Sequence, residues 1–182
     1  MNYGSFSANP KTEWLTEPGE DRNMMILEDF WYIDPKGRHW LAPRNSIING
    51  ASIPSALWSS VGSPYTDDYR RAAIVHDVAC QDLKIIRAEA DEMFYFSCLA
   101  GGCSLIKSKI LYAGVRIGAA VGSKPMLLIG DLTLKNYKLP GEHSKNDLLV
   151  RAKFTILEEK LTSSSDNFVE IKEIVDNELK SD

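Results

Sequence analysis

Two residues in neighbouring stretches have the types and spacing for acid–base chemistry. His76 lies in the run Tyr69 to Cys80, and Asp91 lies in the run Arg87 to Phe94. Both runs carry helical periodicity. His76 shares a stripe with Ala72, Ala79, Cys80 and Leu83, and Asp91 shares one with Ala88, Phe94, Tyr95 and Cys98. Side chains three, four and seven apart fall on one helical face. An imidazole and a carboxylate are therefore both aimed at the core. Burying either alone is costly, whereas burying them in contact is tolerable. The expectation is that they meet. A neutral imidazole can take a proton from water, and a buried carboxylate can fix its tautomer.

Other candidates stand nearby. Asp77 is turned about 100° from His76 around the helix. It reads either as a surface carboxylate pairing with Arg70 or Arg71, or as a metal ligand beside the dyad. Asn49-Gly50-Ala51-Ser52 is a tight-turn signal. Ser52 has no G-x-S-x-G elbow around it, so a turn or cap role is expected. Cys80, one turn from His76, raises a Cys–His hydrolase reading. Groups four apart on one helix rarely align for that step. His39, in a hairpin, and His143, in a loop, are assigned no role.

The elements that must position these residues follow from the rest of the chain. Its 182 residues, 44% hydrophobic and 25% charged, suit one globular domain with an extension. The net charge of −4 gives no footprint for nucleic acid. Three cysteines, Cys80, Cys98 and Cys103, show no zinc or C-x-x-C spacing. With His76 opposite Asp91 in an antiparallel pair, Cys80 faces toward Arg87 and away from Cys98. A disulfide between them is therefore rejected. The most apolar stretch, Ile110 to Gly130, is interrupted by Arg116, Lys124 and Pro125, too often for a spanning helix. The start, Met1 to Phe6, lacks a basic flank and apolar run, so a signal peptide is not expected.

In chain order, residues 1–22 read as an irregular arm, 23–124 as the core domain and 125–182 as a mostly helical extension. Met24 to Ile33 is expected as one strand covered on both faces. Asp34-Pro35-Lys36-Gly37 fits a type I turn leading into a second strand, Arg38 to Ala42. Ile47-Ile48 is a short third strand, and Pro54 opens a helical turn through Trp58. Thr66 is a suitable N-cap for the His76 helix, with Asp67 and Asp68 in its first turn. That helix should run to about Leu83 and connect through Lys84–Ile86 to a helix over Arg87–Leu99. So short a link favours an antiparallel pair. Further helices are expected over 105–121, 147–161 and 168–179, with a strand over 126–134 and a turn at 138–141. The fold class is α+β: a small antiparallel N-terminal sheet packed on a helical bundle that holds the His-Asp and Ala-Asp helices.

The order of these motifs resembles domain-of-unknown-function family 1353, which is frequent in phages and prophages. The matching pieces are Gly50-Ala51-Ser52-Ile53-Pro54, Arg71-Ala72-Ala73 leading to His76-Asp77, Ala90-Asp91 with Phe94, and Val115-Arg116 with Gly118. The resemblance covers roughly residues 24 to 122. The chain departs from the family pattern at Asn49, where Asp is usual, at Cys80, where Tyr is usual, and at Ile86, where Ser or Thr caps the helix. The helix pair is also similar, by analogy only, to the site of secretory phospholipases A₂. The analogy implies His76 as general base, Asp91 as its orienting partner and Asp77 as a ligand of a divalent cation, calcium first. The Asn49, Gly50 and Ser52 turn would then border the substrate. The cysteine-rich calcium loop and disulfide frame of those enzymes are missing.

Two functional readings follow. One is a small phage- or prophage-related hydrolase acting on phospholipid or another ester through the His76–Asp91 dyad. The other is a non-enzymatic accessory, structural or partner-binding protein, with the dyad holding the fold and residues 125–182 touching a partner or a second copy. Hydrolysis of cell-wall material by the same dyad is a third, unsupported by any motif. The expected location is the cytoplasm of the bacterial host cell, with any release by another route.

Overall fold

Short strands pair across long sequence distances to build the N-terminal third. The computed structural model describes residues 2–16, 23–50, 52–62, 68–122 and 145–180. One antiparallel sheet has the order β1 (Ser5–Phe6), β4 (Phe30–Ile33), β5 (His39–Ala42). The other has β2 (Thr12–Trp14), β3 (Met24–Ile26), β6 (Ile47–Ile48). The hairpin is as expected: Gly37 N–H donates to the Asp34 carbonyl at 2.9 Å, and Phe30 pairs with Ala42 through to Ile33 with His39.

Two expectations fail in this region. The arm expected to be irregular over 1–22 carries regular structure in its described part, residues 2–16, because β1 and β2 each join a sheet. Their ladders are long-range, Ser5 with Ile33 and Thr12 with Ile26, so no local pattern announces them. The run 24–33 is not one strand. It breaks at Leu27–Asp29, where Leu27 N–H bonds the Lys11 carbonyl and Asp29 Oδ1 accepts Arg44 N–H at 2.8 Å. The two halves enter different sheets. Nor is the run covered on both faces: Phe30 and Tyr32 are buried, whereas Ile33 is exposed.

Residues Ser55–Leu57 form a 3₁₀ turn that leads into α1 (Trp58–Val61). Then come α2 (Arg70–Gln81), α3 (Arg87–Gly101), α4 (Leu105–Gly122), α5 (Lys145–Ser163) and α6 (Phe168–Lys180). Tyr69, not Thr66, holds the N-cap position of α2, and no acidic residue lies in its first turn. Thr66 and Asp67 lie outside the described residues, as do the strand expected at 126–134, the turn at 138–141 and His143. Helix α2 stops at Gln81 because Asp82 turns extended, so Leu83 leaves the His76 stripe and is 100% exposed.

Helices α2 and α3 are antiparallel. Arg71 Nη2 reaches the Gly101 carbonyl at 3.3 Å while His76 meets Asp91, so ascending one helix descends the other. Two apolar clusters flank this pair. On one side Ile26, Phe30, Tyr32, Trp40 and Ile48 of the sheets pack on Ile74, Val75 and Met93. On the other, Phe94, Tyr95 and Leu99 pack with Leu111 and Tyr112 of α4 and with Phe154, Leu157, Ile171 and Val175 of α5 and α6. The two C-terminal helices thus share the core of the family-like region. Burial of this kind contributes about 25 cal/mol per Å² of apolar surface. Lys109 of α4, also buried, donates to the Ser164 carbonyl at 3.0 Å just past the end of α5 and pairs with Asp166. It caps that helix end.

Candidate functional site

The expected meeting takes place. His76 Nε2 lies 2.8 Å from Asp91 Oδ1, and both side chains are fully buried. The ring also stands 4.7 Å from the Phe94 ring. Two arginines converge on the same carboxylate. Arg87 Nε donates to Oδ1 at 2.9 Å from one turn earlier on α3, and Arg116 Nη1 reaches Oδ2 at 3.4 Å from α4. Arg116 turns its Nη2 to Asp176 Oδ1 of α6, at 2.9 Å. One carboxylate thereby gathers α2, α3 and α4, and through Arg116 it is linked to α6.

The electrostatics follow from these contacts. Burial alone would push the His76 imidazole down. The Asp91 carboxylate and the neighbouring Cys80 outweigh it and hold the ring up at about 9. Burial likewise pushes the Asp91 carboxyl up, but His76 and Arg87 keep it below its ordinary value. The carboxylate thus favours the protonated form of the ring, and the ring favours the ionised carboxylate. A protonated ring has no lone pair with which to abstract a proton.

Asp77 departs from the surface reading. It is buried, and its Oδ2 accepts the backbone N–H of Asn49 at 2.6 Å and of Gly50 at 3.3 Å. Burial raises its carboxyl above the ordinary range, against the pull of those two donors. Gly50 adopts φ +100°, a turn that L side chains rarely make, and this presents the second donor. The Asn49–Gly50 turn is therefore latched to the residue beside His76. A second close approach fixes the loop further along: a Cβ on Gly118 of α4 would stand 2.2 Å from the Ser52 carbonyl. Ser52 is half-buried and forms no hydrogen bond with His76 or Asp91. Among the described residues Asp77 belongs to no group of three or more possible metal ligands; the group that does occur is His76, Cys80 and Asp91.

Cys80 Sγ lies 3.5 Å from His76 Nε2 and 3.8 Å from Nδ1. Near-equal distances put the sulfur beside the ring and not along either N–H direction, which suits a packing contact better than nucleophile activation. Cys80, Cys98 and Cys103 are all free thiols. His39 is exposed on β5, its ring 5.6 Å from Trp31.

The dyad was legible from periodicity, but three partners were not. Arg87 carried a usable signal, four residues before Asp91 on the same helix. Arg116 is a lone charge within an apolar stretch. Asp176 follows Val175 of the α6 stripe, where nothing marks it. Grooves of about 300, 320 and 580 Å³ pass the flanks of the pair, lined by Glu89 and Met93, by Val75 and Ala79, and by Arg70 and Ile74. None of the three is lined by His76 or Asp91.

Comparison with known proteins places the chain by sequence. The profile of the family described as Protein of unknown function (DUF1353) matches residues 24–115. The chain belongs to that family. The matched region holds β3 to β6, α2, α3 and the first part of α4, including His76, Arg87 and Asp91; β1 and β2 precede it and Arg116 follows directly after it. Two relatives come from Sinorhizobium fredii (strain NBRC 101917 / NGR234). Uncharacterized protein y4jT is 31% identical over 114 residues, covering 62% of this chain and 33% of the relative. Uncharacterized protein y4iH is 37% identical over 98 residues, covering 54% of this chain and 41% of the relative. The chain thus spans about a third to two-fifths of the length of these relatives. No solved structure matches it. Among the described residues no helix is long and apolar enough to cross a membrane.

Proposed function

We propose that this chain is a non-enzymatic accessory or partner-binding protein of the phage or prophage kind, and that its His76–Asp91 dyad locks the fold. The observation that carries this reading is the closure of the centre. Both side chains are fully buried, and Asp91 is shared by His76, Arg87 and Arg116. A general base must be deprotonated and within reach of its substrate. A ring held protonated by a carboxylate meets neither need. Binding would use the surface. Leu41 and Ile85 line the groove between β5 and α2, and Leu83 and Ile86 of the α2–α3 link are exposed beside Ile85. Phospholipid vesicles incubated with the purified chain should release no fatty acid. His76→Ala should lose stability without any catalytic loss to record.

The second reading is the ester hydrolase, with Asp77 assisting through a divalent cation. It is favoured by the latch from Asp77 to Asn49 and Gly50, which stands a loop beside the dyad, and by half-buried Cys80, which leaves the ring one contact from solvent. Calcium-dependent fatty acid release by the folded chain, abolished in a folded His76→Ala variant, would establish this reading and end the first.

A further inference from the structure

We propose that the groove between β2 and the first turn of α2 binds an extended acidic peptide segment of a partner protein, one that carries an aromatic side chain among its carboxylates. The inference rests on the partner-binding reading and names the partner's chemistry. It concerns a groove that shares no lining residue with the one between β5 and α2.

The groove holds about 580 Å³. Its floor is apolar: Met24 of β3 and Ile74 of α2 are both buried. Trp14, at the end of β2, lines it and is 61% exposed. Helix α2 contributes Arg70 and Arg71, which stand four and three residues before Ile74 and so neighbour it on the helix surface. Arg71 is held in place. Its guanidinium lies 4.7 Å over the Phe6 ring, and Nη2 donates to the Gly101 carbonyl at 3.3 Å. The rest of its N–H fork is left for a ligand. Arg70 is exposed. Among the described residues neither arginine pairs with a carboxylate. Asp68 also lines the groove, but its backbone is set against the end of α3, where a Cβ on Gly101 would stand 2.5 Å from the Asp68 carbonyl oxygen. Two guanidinium groups beside an apolar floor and a tryptophan select a ligand that brings negative charge and an aromatic group together.

The edge of the sheet adds the preference for an extended chain. Strand β2 is an outer strand and pairs with β3. Leu27 N–H donates to the Lys11 carbonyl and Leu15 N–H to the Asn23 carbonyl, so residues 11 and 15 turn main-chain groups toward β3. Direction alternates along an antiparallel ladder, so Thr12 turns its own N–H and carbonyl away from β3. Thr12 lines the groove, and an extended segment laid beside β2 meets both groups.

Fluorescence anisotropy of a labelled pentapeptide, Phe flanked on each side by two Glu, tests this on the full chain. Saturable binding is expected, weakening as salt rises. The same peptide with Lys in place of Glu should not bind. Arg70→Ala should weaken binding about tenfold or more, the effect of losing a charge-assisted hydrogen bond. Arg44→Ala, on an exposed loop outside the groove, should leave it unchanged. Both replaced side chains are exposed, so both variants should stay folded. No saturable binding by the folded wild type, equal binding of the Lys peptide, or an Arg70→Ala variant that binds like the wild type overturns the proposal and leaves the partner-binding reading standing. Fatty acid release from phospholipid vesicles would end that reading, whatever the peptide does.

Discussion

Arg116 of α4 donates to Asp176 of α6 at 2.9 Å, and the same guanidinium reaches Asp91 at 3.4 Å. The last helix of the chain thereby joins the charged centre of the family region. Asp176→Ala should lower the unfolding free energy by only about 1 kcal/mol, because both partners are partly exposed. Urea denaturation measures it. A loss as large as that from an Asp91 substitution would mean that α6 carries more of the centre than its geometry implies.

Asp91 is the member whose loss leaves most behind. Asp91→Asn strips the charge that His76, Arg87 and Arg116 share. Breaking a buried ion network by removing one partner costs about 3–5 kcal/mol. Denaturation at neutral pH should show a drop in that range, and a change under 1 kcal/mol would count against the network.

The raised imidazole gives stability a signed pH dependence. His76 moves from an ordinary 6.5 to about 9 in the fold. Stabilisation by the protonated ring is complete below 6.5 and is lost as pH rises through about 9. The total loss is on the order of 3 kcal/mol. Asp91, held below its ordinary 3.8, contributes stability above that value and loses it as pH falls through its lowered one. Unfolding free energies measured from pH 6 to pH 10 should fall in the wild type and stay flatter in His76→Gln. The same slope in both proteins would place the titration elsewhere.

Asp77 makes a local prediction. Asp77→Ala leaves the Asn49 and Gly50 amides without their acceptor, at a cost of about 1–3 kcal/mol. Hydrogen exchange at those two amides should accelerate more than exchange along α3. Unchanged protection would mean that the latch is not what orders the turn.

Gly118 tests the contact between loop and helix. Gly118→Ala drives a Cβ into the Ser52 carbonyl, a backbone atom that cannot rotate aside. The expected loss is about 1–3 kcal/mol, typical of overpacking. A neutral substitution would show that the loop retreats freely.

The helices were legible because their periodicity is long and regular. The 3.6-residue stripe placed His76 and Asp91 face to face, and the same signal marked α4, α5 and α6 to within a few residues. The strands β1 and β2 were not legible. Each has two or three residues and pairs with residues 10 to 28 positions away, so nothing local encodes it. The burial of Asp77 was hidden for a related reason. Its partners are backbone N–H groups 27 and 28 residues upstream, and backbone donors have no side-chain signature. The break at Leu27–Asp29 was invisible because its bonds also run to distant residues.

The central claim is that His76 and Asp91 stabilise the fold through each other. A double-mutant cycle of His76→Ala and Asp91→Asn, read by urea denaturation of the full chain at neutral pH, measures that directly. A coupling energy of about 2 kcal/mol is predicted for a buried, hydrogen-bonded charge pair. Two variants whose effects add with no coupling would contradict it.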